Sequence, residues 1–177
     1  MAEEGAILWQ ASPDRRAATN LTGILAWLAA RGRHFTGYSD LWQWSVDDLA
    51  GFRAAIRDHF DLIWQGACLA VVSADPMPHT RWLVGTVLNH AEHLLRHECT
   101  GDPGRTMLHH GSERRPMASQ SRADVAGAVR KLATRLRAIG IGNGDRLVAY
   151  LPNIPETVIA MLATTAIGAI WCLEYPS

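Results

Sequence analysis

The residues best placed to do chemistry lie in one short stretch: His90, His93, His97 and Cys99. If the stretch is helical, steps of three and four residues put the three imidazoles on one stripe. Two histidines at that spacing can share a zinc ion, as they do in HExxH helices. That reading makes the chain a small metal-binding or regulatory module acting through His90, His93 and His97. The competing reading is a half-exposed helix face that happens to carry histidine. A structural zinc site needs four converging ligands, and the remaining imidazoles that could oppose the stripe are His109 and His110. The pattern therefore assigns no metal ligand.

Phosphate binding needs backbone N–H groups presented by glycines, usually at a helix N-terminus and often with a lysine. The Gly-rich run is Gly140-Ile141-Gly142-Asn143-Gly144. It follows a helical pattern and precedes a strand pattern, which is the reverse of the required order and fits a helix C-cap with a turn. Lys131 is the single lysine against sixteen arginines, and it falls inside a helical pattern. Nucleophile chemistry is no better served. No GxSxG turn occurs, and Cys68 and Cys172 sit in apolar runs where core thiols are expected. The sequence assigns no catalytic, cofactor-binding or metal residue.

The elements around these residues read as follows. Residues 1–65 carry five of the seven tryptophans and three short helical patterns, so small helices packed through large aromatics are expected. Asn20 precedes the first, Ser39 opens the second, and Ser45 with Asp47 and Asp48 gives N-cap chemistry for the third. That third helix carries Leu49, Phe52, Ile56 and Phe60 on one face. Asp75 to Pro78 is a turn or extended stretch. A helix is expected over 88–97, and the loop 100–105 is the best internal boundary. Ser121 caps a helix with the stripe Val125, Val129, Leu132, Leu136 and Ile139. A strand over 147–151, a helix from Asn153 and Pro155 to about Ile167, and a strand over 169–173 complete the chain. Neither strand alternates, which predicts a parallel sheet buried on both faces.

Composition bounds the function. With 177 residues, 48% hydrophobic and 19% charged, the chain can build a core. Formal net charge is zero, so no nucleic-acid partner is expected. The uncharged run 157–173 is at the lower limit for a membrane span, but its threonines and flanking acids, Glu156 and Glu174, favour a buried helix and strand. Three cysteines without CxxC spacing and an acidic N-terminus predict a cytoplasmic protein.

Several separate words resemble one family. Gly144-Asp145-Arg146-Leu147-Val148-Ala149, Leu151-Pro152-Asn153-Ile154-Pro155-Glu156 and Gly168-Ala169-Ile170-Trp171 are similar to the opening subdomain of adenylate-forming acyl-CoA synthetases. Thr19-Asn20-Leu21-Thr22, the run 38–49, Arg81-Trp82 and the run 88–95 narrow the resemblance to the acetoacetyl-CoA synthetases. His90 stands where that family usually has Tyr, Arg122 where it has an aromatic, and the run 172–177 departs from it.

The resemblance implies an α/β fold: a helical, Trp-rich N-terminal cap over residues 1–100, then the start of the AMP-binding large domain over 106–177. That start would hold the first βαβ unit of its parallel sheet, incomplete. It also implies an AMP-forming ligase joining acetoacetate to CoA with ATP and Mg, whose phosphate loop, late lysine and CoA contacts lie beyond the matched words. The expectation is thus an N-terminal portion inactive alone and binding none of these cofactors. A second expectation is one half of a split enzyme. Its partner would be the missing C-terminal portion, with self-association possible through the unfinished sheet.

Overall fold

The computed structural model describes residues 5–98 and 101–174. The chain forms two compact units: Met1–Leu62 with Gly66–Thr86, and Ile63–Gln65 with Val87–Ser177. The expected boundary loop at 100–105 lies inside the second unit, with Thr100 outside the described residues.

In the first unit, α1 (Pro13–Ala17), α2 (Asn20–Ala29), α3 (Tyr38–Asp47) and α4 (Leu49–His59) precede a short antiparallel pair, β1 (Ala70–Val72) and β2 (Trp82–Val84). The caps differ from expectation by a few residues. Thr19, not Asn20, caps α2 by accepting from the Thr22 N–H at 3.2 Å. Ser45 lies inside α3, where its hydroxyl donates to the Trp42 carbonyl. Asp48 caps α4 instead, accepting from Gly51 N–H at 2.9 Å. A carboxylate competes well for free helix-end N–H groups and complements the helix dipole.

Ile24, Leu28, Leu41 and Ala55 form the core of this unit, with Trp27, Phe35, Trp44 and Phe52 packed around them. The expectation of packing through tryptophan holds only in part. Trp9 and Trp42 are 69% and 52% exposed. Several indoles are instead covered by guanidinium groups: Arg31 lies 3.7 Å from the Trp27 ring, Arg33 4.4 Å from Trp44 and Arg53 4.5 Å from Trp82. The antiparallel pair has no sequence signal beyond two short apolar runs. Gly66 and Gly85, both at φ +88°, allow the backbones to close up beside it. A Cβ on Gly66 would sit 2.5 Å from the Gly85 carbonyl oxygen.

The second unit holds α5 (His90–Leu95), the hairpin β3 (Thr106–Ser112) and β4 (Arg115–Ser121), α6 (Arg122–Ala138), β5 (Arg146–Tyr150), α7 (Pro155–Ala166) and β6 (Ile170–Glu174). Ser121 caps α6 as expected, in a full capping box with Asp124. Val125, Val129 and Leu136 are buried along the expected stripe, together with Ala126 and Ala133. Ile139 ends the helix and is 73% exposed. Proline occupies the first turn of α7, and its cap residue is Ile154 rather than Asn153. The threonines that argued against a membrane span are satisfied locally. Thr164, fully buried, donates to Ala160 O at 2.8 Å, and Thr157 donates to Pro152 O at 2.7 Å. Among the described residues no helix is long and apolar enough to cross a membrane.

β5 and β6 pair in parallel, Arg146 with Ile170 through Tyr150 with Glu174, and α7 joins them. The expectation of burial on both faces is not met. Leu147, Ala149, Trp171 and Leu173 are half-buried, and the alternate residues are exposed, Val148 at 73% and Tyr150 at 66%. Helices α6 and α7 pack with this pair from one side, which leaves the other face of each strand without a layer.

Candidate functional site

The histidine stripe does not survive as a ligand set. Helix α5 is six residues long and ends at Leu95, so His97 lies beyond it. The ring of His97 accepts from the Arg96 side chain at 3.2 Å. His93 turns its Nε2 to the backbone of Ile63, 2.8 Å from the N–H and 2.9 Å from the carbonyl oxygen. His109 and His110 sit in β3. Cys99 lies outside the described residues. Among the described residues no group of three or more His, Cys, Asp or Glu side chains is placed to hold a metal ion.

What the 88–95 run does is structural, and it centres on a residue that gave no chemical signal. Asn89 caps α5, its Oδ1 accepting from the Glu92 N–H at 3.2 Å. Its Nδ2 donates to the carbonyls of Thr165 at 2.9 Å and Ala166 at 3.5 Å. One side chain thus satisfies a free donor at the start of α5 and adds a donor to carbonyls at the end of α7, where Thr165 O also accepts from the Gly168 N–H at 3.0 Å. The available sequence cue is Asn followed three residues later by Glu, a helix-start signature. Ile63–Gln65 lies alongside, with Gln65 and Val87 exchanging backbone hydrogen bonds at 2.8 and 2.9 Å. Between this segment, the start of α5 and the end of α7 is a cleft of about 350 Å³, lined by Trp64, Asn89, His90, Glu92, Thr165 and Gly168.

The Gly-rich run is a helix end and a turn. Gly140 and Gly144 take φ of +91° and +86°, conformations that suit glycine. The Gly142 N–H donates to the Asp145 carboxylate at 2.8 Å, and the Gly144 N–H to the Gly168 carbonyl at 3.1 Å. Those amides are spent inside the protein. The N-terminus of α7 is also filled by its own side chain. Glu156 is held below the usual carboxylate range first by its own backbone N–H, then by Arg115 at 3.0 and 3.1 Å, with a smaller contribution from His110. Lys131 is exposed on α6. The Gly-rich turn and the α7 N-terminus thus both turn their polar groups to partners within the chain.

Cys172, expected as a core thiol, is exposed on β6, because strand alternation places it on the uncovered face with Ile170. Cys68 is half-buried and donates weakly to the Ala70 carbonyl at 3.6 Å.

Residues 95–177, just under half of the chain, match the AMP-binding enzyme family. Within it the similarity is to acetoacetyl-CoA synthetases. Acetoacetyl-coenzyme A synthetase of Rhizobium meliloti (strain 1021) is 35% identical over 90% of this chain and 24% of its own length. Acetoacetyl-CoA synthetase of Gallus gallus is 32% identical over 98% of this chain and 26% of its own length. The solved acetoacetyl-CoA synthetase from Streptomyces lividans superposes with a TM-score of 0.82 at 37% identity, over 95% of this chain and 26% of that one. The chain spans about a quarter of the length of these relatives.

Proposed function

We propose that the chain is the N-terminal portion of an AMP-forming acetoacetate–CoA ligase, contributing a helical cap and the first βαβ unit of the large domain. The observation that carries this reading is the near-complete match to acetoacetyl-CoA synthetases, 90–98% of the chain, over only 24–26% of their length. The whole enzyme would join acetoacetate to CoA at the expense of ATP, releasing AMP and pyrophosphate. The chemistry asked of it is phosphate neutralisation and positioning of a carboxylate for attack. Spent glycine amides and a self-filled α7 N-terminus support assigning those tasks to other parts of the enzyme.

On this reading the 177-residue polypeptide alone is inactive. Incubated with acetoacetate, ATP, Mg and CoA, it should release AMP at the rate of the blank; turnover well above blank would overturn the assignment of the chemistry elsewhere. The uncovered strand face with Val148, Tyr150 and Ile170 favours a second, related reading. Here the chain is half of a split synthetase whose other polypeptide covers that face. Addition of the remaining three quarters of a related synthetase should then restore acetoacetate-dependent AMP release, and absence of both restored activity and co-purification removes this reading. Without such a partner, exposed strand faces of this kind favour self-association.

A further inference from the structure

Ile63–Gln65 is flanked on both sides of the sequence by the first unit yet belongs to the second. Ile63 and Trp64 are half-buried, and hydrogen bonds hold the backbone of the segment at both ends. One end is held by the Gln65–Val87 backbone pair, at 2.8 and 2.9 Å. The other end is held by a side chain, His93, whose Nε2 faces both the N–H and the carbonyl of Ile63 at 2.8 and 2.9 Å. A neutral imidazole nitrogen is either a donor or an acceptor. Both neutral tautomers therefore close this contact, one by accepting from the Ile63 N–H and the other by donating to its carbonyl.

The base of the contact is rigid. α5 is riveted to the end of α7 through Asn89, and Ala91 on the same helix is fully buried. The strap itself borders the 350 Å³ cleft, whose other wall is Thr165, Gly168 and Ala169. We propose that His93 is a clasp that holds the Ile63–Gln65 strap over this cleft, and that the strap opens locally, as a unit, while the α6–α7 core stays folded. The device needs neither an active enzyme nor the functional reading above. It rests on the contact of one side chain with the backbone of Ile63.

Amide hydrogen exchange on the full 177-residue chain tests it. In the unmodified protein the amides of Ile63, Gln65 and Val87 should be less protected than those of Val129 and Leu162, because local opening is easier than global unfolding. Equal protection would overturn the proposal. His93→Phe keeps a ring of similar size and removes the polar grip. Loss of one such hydrogen bond should speed exchange of the Ile63, Gln65 and Val87 amides roughly five- to tenfold, with Val129 and Leu162 unchanged. His93→Gln, whose carboxamide can both donate and accept, should recover most of the protection. Unchanged strap exchange in His93→Phe, or an equal acceleration throughout α6 and α7, would overturn the clasp. If His93→Phe does not fold, the unmodified protein and His93→Gln still decide the matter. A strap as protected as the core in the first, or a second that exchanges no slower than a free segment, also overturns it.

Discussion

Ile24, Leu28, Leu41 and Ala55 form the buried centre of the first unit, walled by aromatic rings and roofed by arginines, whereas the apolar cluster of the second unit joins nine buried side chains from α5, α6, α7 and the turn into β6. Four of those nine are alanines, Ala91, Ala133, Ala163 and Ala169, and small residues let helix backbones approach closely. The first unit makes its core from ring edges: Trp44 meets Phe52 at 5.5 Å and 84°, and Trp27 meets His59 at 5.5 Å and 70°. Ring pairs of this kind add a modest amount beyond their buried area, and a guanidinium over an indole shields apolar surface without burying it. The second unit depends on tight fit and the first on overlap, so a missing side chain should matter more in the second.

The largest expected effect comes from Leu162, fully buried at the middle of α7. Leu162→Ala removes a side chain from a site with little room to collapse and should cost the second unit about 3–4 kcal/mol. Urea unfolding followed by hydrogen exchange at α6 and α7 amides would measure it. Leu28→Ala in the first unit should cost less, about 2–3 kcal/mol, because Trp27 and Phe35 lie at the edge of its core and can move in. Equal losses at the two positions would break the distinction between fitted and overlapping cores.

Much of this architecture was legible in the residue pattern, and the failures have physical causes. α6 reads out correctly because its apolar stripe and cap obey local rules, and α7 because its apolar run and first-turn proline do. Asp124 sits three residues after Ser121, and proline sits at the start of α7. The hairpin β3–β4 was missed because its strands carry His109, His110, Arg115, Ser119 and Gln120. Mostly exposed, irregularly registered strands show little alternation. β5 and β6 were placed correctly but expected to be covered twice. An apolar run shows that a strand suits burial, not that a second layer is present. The histidine stripe misled because helix length was read from apolar spacing, and α5 stops before His97. Asn89 was invisible as a site because its value lies in carbonyls 76 and 77 residues away.

A smaller effect probes the frame rather than the core. Ser121→Ala removes the acceptor for the Asp124 N–H at 3.1 Å and should cost about 1 kcal/mol. Asp124 is held below the ordinary carboxylate range first by the Ser121 hydroxyl and then by the Ser121 N–H. Its folded pKa is therefore depressed. Its stabilisation is present above the unfolded value and is lost as pH falls through that value toward the folded one. Acid titration of stability should be shallower in Ser121→Ala than in the unmodified chain; parallel curves would mean the box contributes nothing through Asp124.

The smallest effect expected is at the Arg115–Glu156 pair, which ties the hairpin to the first turn of α7 and is about half exposed on both sides. Surface pairs of this kind contribute about 0.5 kcal/mol or less and weaken in salt. Glu156, however, is lowered first by its own backbone N–H and only afterwards by Arg115. The two contributions separate by mutation. Arg115→Gln should leave most of the acid-side loss of stability in place, since the helix-end hydrogen bond remains. Glu156→Gln should remove it, because the titrating group is gone. The sign is that of any depressed carboxylate: stabilisation is complete above the unfolded pKa and vanishes as pH falls through the folded one. An Arg115→Gln variant whose acid titration matched that of Glu156→Gln would show that the hairpin, and not the helix terminus, holds Glu156 charged.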